Sequence, residues 1–482
     1  MSKLKFSPFL KQCFVAAGVW SSALAHGAVV GFPAVLLPQL NATTSHIPIT
    51  KEDASWIASV TAITLLLGSF VAAPIMGRLG RKMAHHIVIA HILLGWVVIA
   101  LARNLAVMMI GRIIHGVSFG LMLPLRSALL GEYTSPRLRG AFLTAVSVTQ
   151  SSGVLLVHLI GSLLPWQTTT LVMLAFPLVS ALVTLYSPES PSWLAARGRY
   201  DECRVAFRWL RGDREEAELE DMIKAREHEE EKKKVTTLKD IVVTLKKKEF
   251  YKPIVIMVHS YLMGEFSGGA LMSCYSTTVI HLIVGPDVDA NTWMIALDAQ
   301  RNISNLLAVF VVNRLKRRTM MLATGSLCIA SNLAIAAYVY ARVHGVMTYA
   351  AIWLPILLIN VQFFSIAVGM VCLPYVIAGE IFPLEYRSLG GSISIASIAC
   401  GFFVVTKTFP ALSGAIGLHG SYTVYAAIMT YSLVVIYSLL PETKGKTLQQ
   451  IEDEFRGKPL CTDDVEVREH LNGKGDADKN TE

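Results

Sequence analysis

The chain has 482 residues, of which 53% are hydrophobic and 16% are charged, and its formal net charge is +8. A chain of this size with a mean hydropathy of +0.50 is too apolar for a soluble protein, so the composition predicts a protein that crosses the membrane several times. The positive charge does not indicate a nucleic-acid partner, because the cations cluster in loops between apolar runs.

The apolar runs fall into two sets of six. A bilayer core of roughly 30 Å requires about 20 apolar residues per helix, and such runs occur near 12–36, 53–76, 85–102, 106–130, 140–163 and 168–187. Six more lie near 253–283, 291–312, 319–341, 348–378, 388–411 and 420–440. We therefore predict an all-α membrane protein with twelve transmembrane helices, six in residues 1–187 and six in residues 253–440.

Two polar segments border the second set of runs. Residues 188–252 carry charges of both signs and no apolar stretch long enough to span a bilayer, so we predict a cytosolic helical linker. Residues 441–482 are predicted to be a cytosolic C-terminal segment, and the polar sequence after residue 456 predicts a disordered tail.

Charged residues at the ends of the predicted helices repeat across half of the chain. Glu132 is followed seven residues later by Arg139, and Glu380 is followed seven residues later by Arg387. A hydrophobic chain with two such halves is more typical of a transporter than of an enzyme. Further segments recur in the same order, namely 77–82 with 313–318, and 188–190 with 441–443.

The distribution of the cations predicts the orientation in the membrane. Basic loops alternate with the helices, and the positive-inside tendency then places these loops and both termini in the cytosol of a multi-pass cell-membrane protein. Asn41-Ala42-Thr43 falls in the first outside loop, which makes Asn41 a candidate glycosylation site. The seven cysteines are an odd number and lie mostly in helices or cytosolic segments, so no disulfide framework is predicted.

The repeated charges suggest a gate. A loop with several cations can pair with carboxylates at the ends of neighbouring helices, and a desolvated pair can hold one conformation yet break in another. The alternative is that these charges only mark the membrane boundary, but the repetition of three motifs favours the gate. The gating candidates are Arg81, Lys82, Arg112, Glu132, Arg139, Glu189, Arg317, Arg318, Glu380, Arg387 and Glu442.

Five motifs together resemble one transporter family: Gly111-Arg112 with Gly116, Glu132 with Arg139-Gly140, residues 188–194, residues 369–375 with Glu380, and residues 441–448. Over residues 12 to about 456, the chain resembles a sugar porter of the major facilitator superfamily. Residues 53–57, 153–162 and 403–409 are most similar to the insect facilitated trehalose transporters. The resemblance implies two pseudo-symmetric six-helix bundles around a central cavity, with alternating access by rocking of one bundle on the other.

The sugar site of that family is altered in this chain. Family members usually bind sugar hydroxyls through two adjacent Gln and a later Asn on helix 7, where this sequence has Gly264-Glu265 and Ala270. The lost amides could both donate and accept hydrogen bonds. The other departures are Ser147 for a Gln on helix 5, Arg301 for an Asn on helix 8, Tyr375 for a Trp on helix 10, and Ile398-Ala399 for an Asn-Trp pair on helix 11.

Glu265 and Arg301 place full charges in the middle of the membrane. Each lies about twelve residues from the cytosolic end of its predicted helix, at a depth of roughly 18 Å, where an unpaired charge costs about 3 kcal/mol or more. Three interpretations are open. The charges form a structural ion pair, either Glu265 with Arg301 or Asp298 with Arg301; Arg301 contacts the substrate; or Glu265 binds a transported proton. Helix 1 lacks the acid that proton-coupled relatives commonly use, which disfavours the third.

The candidate substrate-binding residues come from four predicted helices. His158 is included because helix 5 is expected to line the cavity and Gly153 and Gly161 flank this residue, although a lone membrane histidine is more often a packing group. Aromatic rings such as Tyr375 can stack on a sugar face. The full set is Ser147, His158, Glu265, Arg301 and Tyr375.

These features favour a facilitative transporter for a sugar, trehalose or a hexose, that works by alternating access. The alternatives are a proton-coupled or non-sugar solute transporter, or a non-transporting sugar sensor. The sequence has no phosphate-binding glycine loop, metal-ligand cluster or nucleophile constellation, so we predict neither an enzyme nor a cofactor or metal. The expected partners are a small-molecule sugar and the lipid bilayer.

Overall fold

The computed structural model describes residues 7–43, 45–212, 215–230, 247–347, 353–382, 387–446 and 448–456. Within these ranges the regular structure is helical. The ends of several helices follow from local sequence signals. Thr50 and Asp53 form a capping box at the start of the second helix, each side chain accepting a hydrogen bond from the other residue's backbone N–H.

Six long helices form the first half of the chain. The first begins after Ser7, whose hydroxyl accepts a hydrogen bond from the N–H of Leu10, and it has proline at its first position. The helices are α1 (Pro8–Asn41), α2 (Lys51–Leu79), α3 (Arg81–Ala100), α4 (Leu105–Tyr133), α5 (Pro136–Leu163) and α6 (Trp166–Tyr186).

Three short helices follow and pack on the first bundle. They are α7 (Pro191–Ala196), α8 (Tyr200–Arg211) and α9 (Glu216–Glu230). Arg211 donates to the carbonyl of Thr134 at the end of α4, and Gln12 of α1 donates to the carbonyl of Leu210. Because these bonds join the linker helices to the ends of α1 and α4, the linker is anchored to the first bundle.

The second half of the chain repeats the arrangement of long helices. One continuous helix, Arg387–Leu439, is broken at Gly417, where φ is +72° and the backbone is not helical, so it supplies two spans. The helices are α10 (Phe250–Val284), α11 (Ala290–Arg314), α12 (Arg317–Val343), α13 (Trp353–Ile381), α14 (residues 387–416), α15 (residues 418–439) and the short α16 (Leu448–Arg456).

The number of spans agrees with the prediction. In the part of the chain that the structure describes, ten continuous helices are long and apolar enough to cross a membrane. One of them contains both α14 and α15, and α11 is missing from that set because polar residues such as Asp298 and Arg301 interrupt its apolar run. Counting α14 and α15 separately and adding α11 gives the twelve predicted helices, and the fold class is confirmed.

Glycines allow α1 and α5 to approach closely. A Cβ atom on Gly27 would lie 1.9 Å from the carbonyl oxygen of Gln150, and one on Gly153 would lie 1.9 Å from the carbonyl oxygen of Leu24. No side chain fits at these distances, and such small residues are the usual means of close helix packing in membranes. The backbones of α1 and α5 are therefore held in direct contact.

The two bundles meet along three pairs of helices, α1 with α10, α5 with α11, and α2 with α14. We call the end of the bundles at which α1 begins and α15 ends the terminal face, and the opposite end the distal face. The linker helices lie at the terminal face. The outward sides of the helices expose large apolar side chains, as contact with lipid requires; examples are Leu67, Phe70, Leu182, Phe310 and Tyr431.

Candidate functional site

A cavity of about 200 Å³ lies between the two bundles, near the middle of their helices. The polar groups from the first bundle are those of Arg126, Ser147, Gln150 and Ser151. The second bundle contributes Tyr261, Glu265, Ser273, Arg301, Asn305 and Tyr375. A cavity with polar groups from both bundles is positioned to change when the bundles move relative to each other.

Two helices are irregular where they line this cavity. Residues Glu265–Gly269 of α10 and Ile366–Val371 of α13 form π-helical turns, which are frequent at functional sites. Gly268 has φ of +99°, a conformation that favours glycine, and Gln362 donates to the neighbouring carbonyl of Ser267 at 2.8 Å. The irregular turn thus lets α10 present Glu265 and Gly269 to the cavity without leaving this buried carbonyl unpaired.

Four of the five predicted substrate-binding residues line the cavity: Ser147, Glu265, Arg301 and Tyr375. His158 does not. Its ring is fully buried between α1 and α11, on the distal side of the cavity, and its two nitrogens are occupied by Asp298 and the carbonyl of Gly31. The prediction that His158 faces the cavity is therefore wrong, because this side of α5 packs against two helices.

The carboxylate partner of Arg301 is Asp298, one turn earlier on α11. The Nη2 atom of Arg301 lies 3.1 Å from Oδ1 of Asp298, and Nη1 donates to the hydroxyl of Ser273 at 3.1 Å. Of the two ion pairs that the sequence left open, the structure has Asp298 with Arg301, and no Glu265–Arg301 ion pair occurs among the described residues. The side chain of Glu265 instead lies against Gly401, where a Cβ atom would approach its Cγ to 2.9 Å.

Sequence reasoning missed six polar cavity residues, among them Arg126, Gln150 and Asn305. Gln150 lies three residues after Ser147, and Asn305 lies four residues after Arg301, so each is one helical turn from a predicted position. Helical spacing was the signal that could have found them. Amides that the family pattern places elsewhere are thus present in this cavity.

Arg126 reaches across the cavity from the first bundle to the second. It donates to Oε1 of Gln150 at 2.7 Å, and its guanidinium lies 5.9 Å from the ring centroid of Tyr375. Arg126 is seven residues from the end of α4 at the terminal face. This cation–π contact therefore joins the bundles on the terminal side of the cavity.

The distal side of the cavity is closed by several polar contacts between the bundles. Lys407 of α14 donates to the hydroxyl of Ser55 at 2.8 Å and lies 4.0 Å from the ring centroid of Trp56 in α2. Nearer the cavity, Asn302 of α11 accepts hydrogen bonds from Ser151 and Ser152 of α5 at 2.8 and 2.9 Å. In this conformation the bundles are joined mainly in the distal half.

A charge cluster at the terminal face ties together the first bundle. Glu189 accepts hydrogen bonds from the backbone N–H groups of Arg81 and Lys82, so its carboxylate caps the start of α3. The guanidinium of Arg81 donates to both carboxylate oxygens of Glu132 at 2.8 to 3.1 Å, and Ser190 donates to Glu132 as well. Lys82 donates to the carbonyl of Leu185 near the end of α6. We call this group the first cluster.

The second bundle has the corresponding group, which we call the second cluster. Glu442 accepts from the N–H groups of Arg317 and Arg318, and Arg317 donates to Glu380 at 3.2 Å. Thr443 donates to Glu380 at 2.6 Å. Burial alone raises the pKa of Glu442, but three backbone N–H groups and the charge of Arg317 outweigh it and hold this pKa below its usual range. Glu442 is therefore ionised at neutral pH.

The described ion pair of each cluster joins a basic loop to a carboxylate at a helix end within the same bundle. Glu132 pairs with Arg81, whereas the Nε of Arg139 has no hydrogen-bond partner among the described residues. Arg112 is buried in the distal half of α4 and donates to the carbonyls of Val29 and Ile57, far from either cluster. The side chain of Arg387 lies outside the part of the chain that the structure describes. No described ion pair links the bundles at the terminal face.

The predicted glycosylation residue Asn41 is the last residue of α1, at the distal end, and it is exposed. The described cysteines are all unpaired. Glycosylation of Asn41 remains a prediction.

Residues 15–455 match the family described as "Sugar (and other) transporter". The chain is 29% identical over 453 residues to a facilitated trehalose transporter of Bombyx mori, covering 90% of this chain and 86% of the relative. It is 27% identical over 459 residues to that of Apis mellifera ligustica, with 94% and 90% covered. It is 26% identical over 453 residues to that of Aedes aegypti, covering 91% of this chain but only 56% of that longer relative.

Solved structures show the same fold. The proton:xylose symporter bound to 6-bromo-6-deoxy-D-glucose has a TM-score of 0.73 and 18% identity, with 92% of this chain and 99% of that chain covered. The inward open conformation of the xylose transporter from E. coli has a TM-score of 0.72 and 17% identity, with 93% and 99% covered. Both are described as transporters, and at these identities the likeness is one of fold.

Proposed function

The chain belongs to the sugar (and other) transporter family, and from that membership we propose that it carries a sugar across the cell membrane by facilitated alternating access. The family is one of transporters, not of enzymes. Trehalose or a hexose is the proposed solute, since trehalose is the sugar named for the insect relatives. The cavity, the contacts between the bundles and the distribution of charges support this proposal.

The central cavity is the observation that carries the proposal. Amides and hydroxyls such as those of Gln150, Ser273 and Asn305 can donate and accept hydrogen bonds with sugar hydroxyls. The rings of Tyr261 and Tyr375 provide apolar faces. We propose that Ser147, Glu265, Arg301 and Tyr375 contact the sugar, with Gln150 and Asn305 in place of the amides that helix 7 lacks.

The contacts between the bundles support alternating access. The sugar can leave toward the distal face only when Lys407 parts from Trp56 and Asn302 parts from α5. We propose that residues 1–187 and 253–440 rock as two bodies joined by the linker 188–252. In this view the two clusters keep each body rigid at the terminal face, and Arg139 is available to pair when that face closes.

The charges support an orientation with the terminal face in the cytosol. The cations of the first and second clusters all lie at this face, as the positive-inside tendency requires. Both termini are then cytosolic. The distal end of α1, with Asn41, faces the outside, and the cell membrane is the proposed location.

A second candidate is transport of a carboxylate-bearing solute, and Arg126 is the observation that favours it. Arg126 and Arg301 bring two cations to one small cavity, where Glu265 is the one acid among the described lining residues. Arg301 already has Asp298 as a partner, so the net charge of the cavity depends on whether Glu265 is ionised. A guanidinium binds carboxylates by charge-assisted hydrogen bonds.

Uptake into proteoliposomes tests both candidates. Labelled trehalose, glucose and glucuronate are offered separately, with and without a pH gradient, and empty liposomes serve as the control. We expect saturable uptake of a neutral sugar down its gradient. Uptake of glucuronate alone would favour the second candidate, and no flux of any of the three would count against both and in favour of a sensor.

Changing Tyr261 to Phe is expected to weaken sugar binding. The change removes one hydroxyl from the cavity and leaves the ring packed edge-on against Tyr375, with 5.8 Å between centroids. A hydrogen bond of about 0.5 to 1.5 kcal/mol predicts a KM for sugar uptake that rises roughly 2- to 13-fold. The matched control is Tyr425→Phe. Tyr425 is buried, its hydroxyl has no hydrogen-bond partner among the described residues, and it does not line the cavity. An equal rise in both variants would argue against a cavity role for Tyr261.

A further inference from the structure

The ring of His158 occupies an unusual position between the two bundles. It belongs to α5 of the first bundle and is 0% exposed. Its Nδ1 lies 2.5 Å from Oδ2 of Asp298 on α11 of the second bundle, and its Nε2 lies 3.0 Å from the carbonyl oxygen of Gly31 on α1. A Cβ atom at Gly31 would approach Nε2 to 3.0 Å, so glycine leaves room for the ring at that carbonyl.

This geometry fixes the number of protons in the pair. The carbonyl oxygen of Gly31 can only accept, so Nε2 must carry a hydrogen. The contact with Asp298 needs a second hydrogen, either on Nδ1 facing a carboxylate or on a carboxylic acid facing a bare Nδ1. In both cases His158 and Asp298 together hold one proton more than a neutral imidazole beside a free carboxylate.

The neighbouring His26 shows that burial alone does not require this extra proton. His26 is also buried, and its Nδ1 lies 2.7 Å from the carbonyl of Ser22. Its Nε2 lies 3.0 Å from the hydroxyl of Ser118, whose one hydrogen can be donated either to this nitrogen or to the carbonyl of Val88, also at 3.0 Å. With Ser118 donating to His26, a neutral imidazole satisfies both contacts, whereas the Asp298 carboxylate beside His158 has no hydrogen of its own, and all the groups around His26 belong to the first bundle.

The charged groups around His158 determine what happens when the bundles part. From α1 it faces the Gly31 carbonyl, and from α11 it faces Asp298, behind which lies Arg301. The other charges that line the cavity with Arg301 are those of Arg126 and Glu265. When α5 and α11 separate, Asp298 keeps Arg301 as its partner and is stabilised as a carboxylate. His158 then contacts only the carbonyl of Gly31, and a neutral imidazole can donate its single N–H to that carbonyl.

We propose that His158 and Asp298 form a proton-binding site that locks the distal side of the protein, and that the site releases its proton when the bundles part toward the distal face. The inference rests on the rocking motion of the proposed function, but not on the identity of the solute. Lower pH then favours the distal-closed conformation. Because the two conformations differ by one proton at this site, the ratio of closed to open molecules changes by up to about tenfold for each pH unit.

The distance between the bundles at the distal face provides the test. Spin labels are placed at the exposed positions Gln167 on α6 and Asp287 before α11, in the full chain with Cys13, Cys400 and Cys461 replaced by alanine. Pulsed electron paramagnetic resonance in lipid nanodiscs then gives the distance distribution without substrate between about pH 5 and pH 8, where imidazole groups change charge. We expect the short-distance population to grow as the pH falls.

Three variants test whether the pH dependence of the distance comes from the proton site or from packing between the bundles. His158→Gln should abolish most of the pH dependence, whereas His26→Gln should retain it. Asn302→Ala removes a neighbouring contact between the bundles that has no titratable group, so it should favour the open population at every pH with the same pH dependence.

Two results would overturn the proposal. The first is a wild-type distribution that contains both populations and does not respond to pH, a result that needs no variant to fold. The second is unchanged pH dependence in His158→Gln. If the open population is absent even in Asn302→Ala, both this proposal and the rocking motion of the proposed function fail, whereas a failure of sugar uptake alone leaves the proton site intact.

Discussion

Replacing Asp298 with Asn is expected to destabilise the folded protein by about 3 kcal/mol or more. The change keeps the shape of the side chain but removes the carboxylate that pairs with Arg301, and Arg301 is only 9% exposed. An uncompensated cation at this depth in the membrane is costly. The measurement is the melting temperature of the purified protein in detergent, together with its monodisperse yield, and both should fall.

The double change Asp298→Asn with Arg301→Gln is the critical comparison. If the pair is structural, the double variant recovers most of the lost stability, because no unpaired charge remains. Glu265→Gln is the matched control, since Glu265 has no cationic partner among the described residues and its loss should leave the melting temperature unchanged. Damage from Glu265→Gln equal to that from Asp298→Asn would instead make Glu265 the partner of Arg301.

Replacing Glu132 with Gln is expected to slow transport by roughly tenfold or more. Glu132 accepts several hydrogen bonds from Arg81 and one from Ser190, and it is only 18% exposed. Losing the charge should cost about 2 kcal/mol, which corresponds to roughly 30-fold in a conformational equilibrium. Initial rates of solute exchange in proteoliposomes, corrected for the amount of folded protein, measure the effect.

Glu380 is the residue of the second bundle that corresponds to Glu132, and the same change can be made there. Glu380→Gln should act in the same direction but less strongly, because Glu380 is 29% exposed and its described partners are Arg317 and Thr443. Glu202→Gln is the control, because its ion pair with Arg199 is largely exposed and should not affect transport. If Glu132→Gln exchanges solute at the wild-type rate, the first cluster has no part in the transport cycle.

Much of the fold followed from local properties of the sequence. Apolar runs of membrane length gave the twelve helices, and the repeated charges at Arg81, Glu132 and Glu189 had counterparts at Arg317, Glu380 and Glu442. These signals are readable because length, apolarity and charge at a helix end do not depend on the tertiary packing. The individual partners of the charges were harder to predict, because the sequence indicates that basic loops pair with helix-end carboxylates but does not say that Arg81 is the partner of Glu132.

The candidate site was predictable in position but not in orientation. Each residue of a helix points about 100° away from the last, so similar depth does not tell which of Glu265 and Asp298 reaches Arg301. Asp298 does so because it lies one turn away on the same helix. His158 and Arg126 depend on helix rotation and tilt as well, and these are set by packing such as the α1–α5 glycine contact, which hydrophobicity does not reveal.

The first cluster has a consequence for the order in which the protein is made. Arg81, Glu132, Glu189 and Ser190 all precede residue 191, so their bonds can form in the first bundle before the ribosome has produced α10. His158, Ser151 and Ser152 must wait for partners on α11, more than 130 residues later in the chain. During biosynthesis the first bundle therefore completes its terminal face early. On the side of α5 that will meet α11, Ser151 and Ser152 can donate to the carbonyl of Val148 in the meantime, but His158 lacks its carboxylate partner until the second bundle enters the membrane.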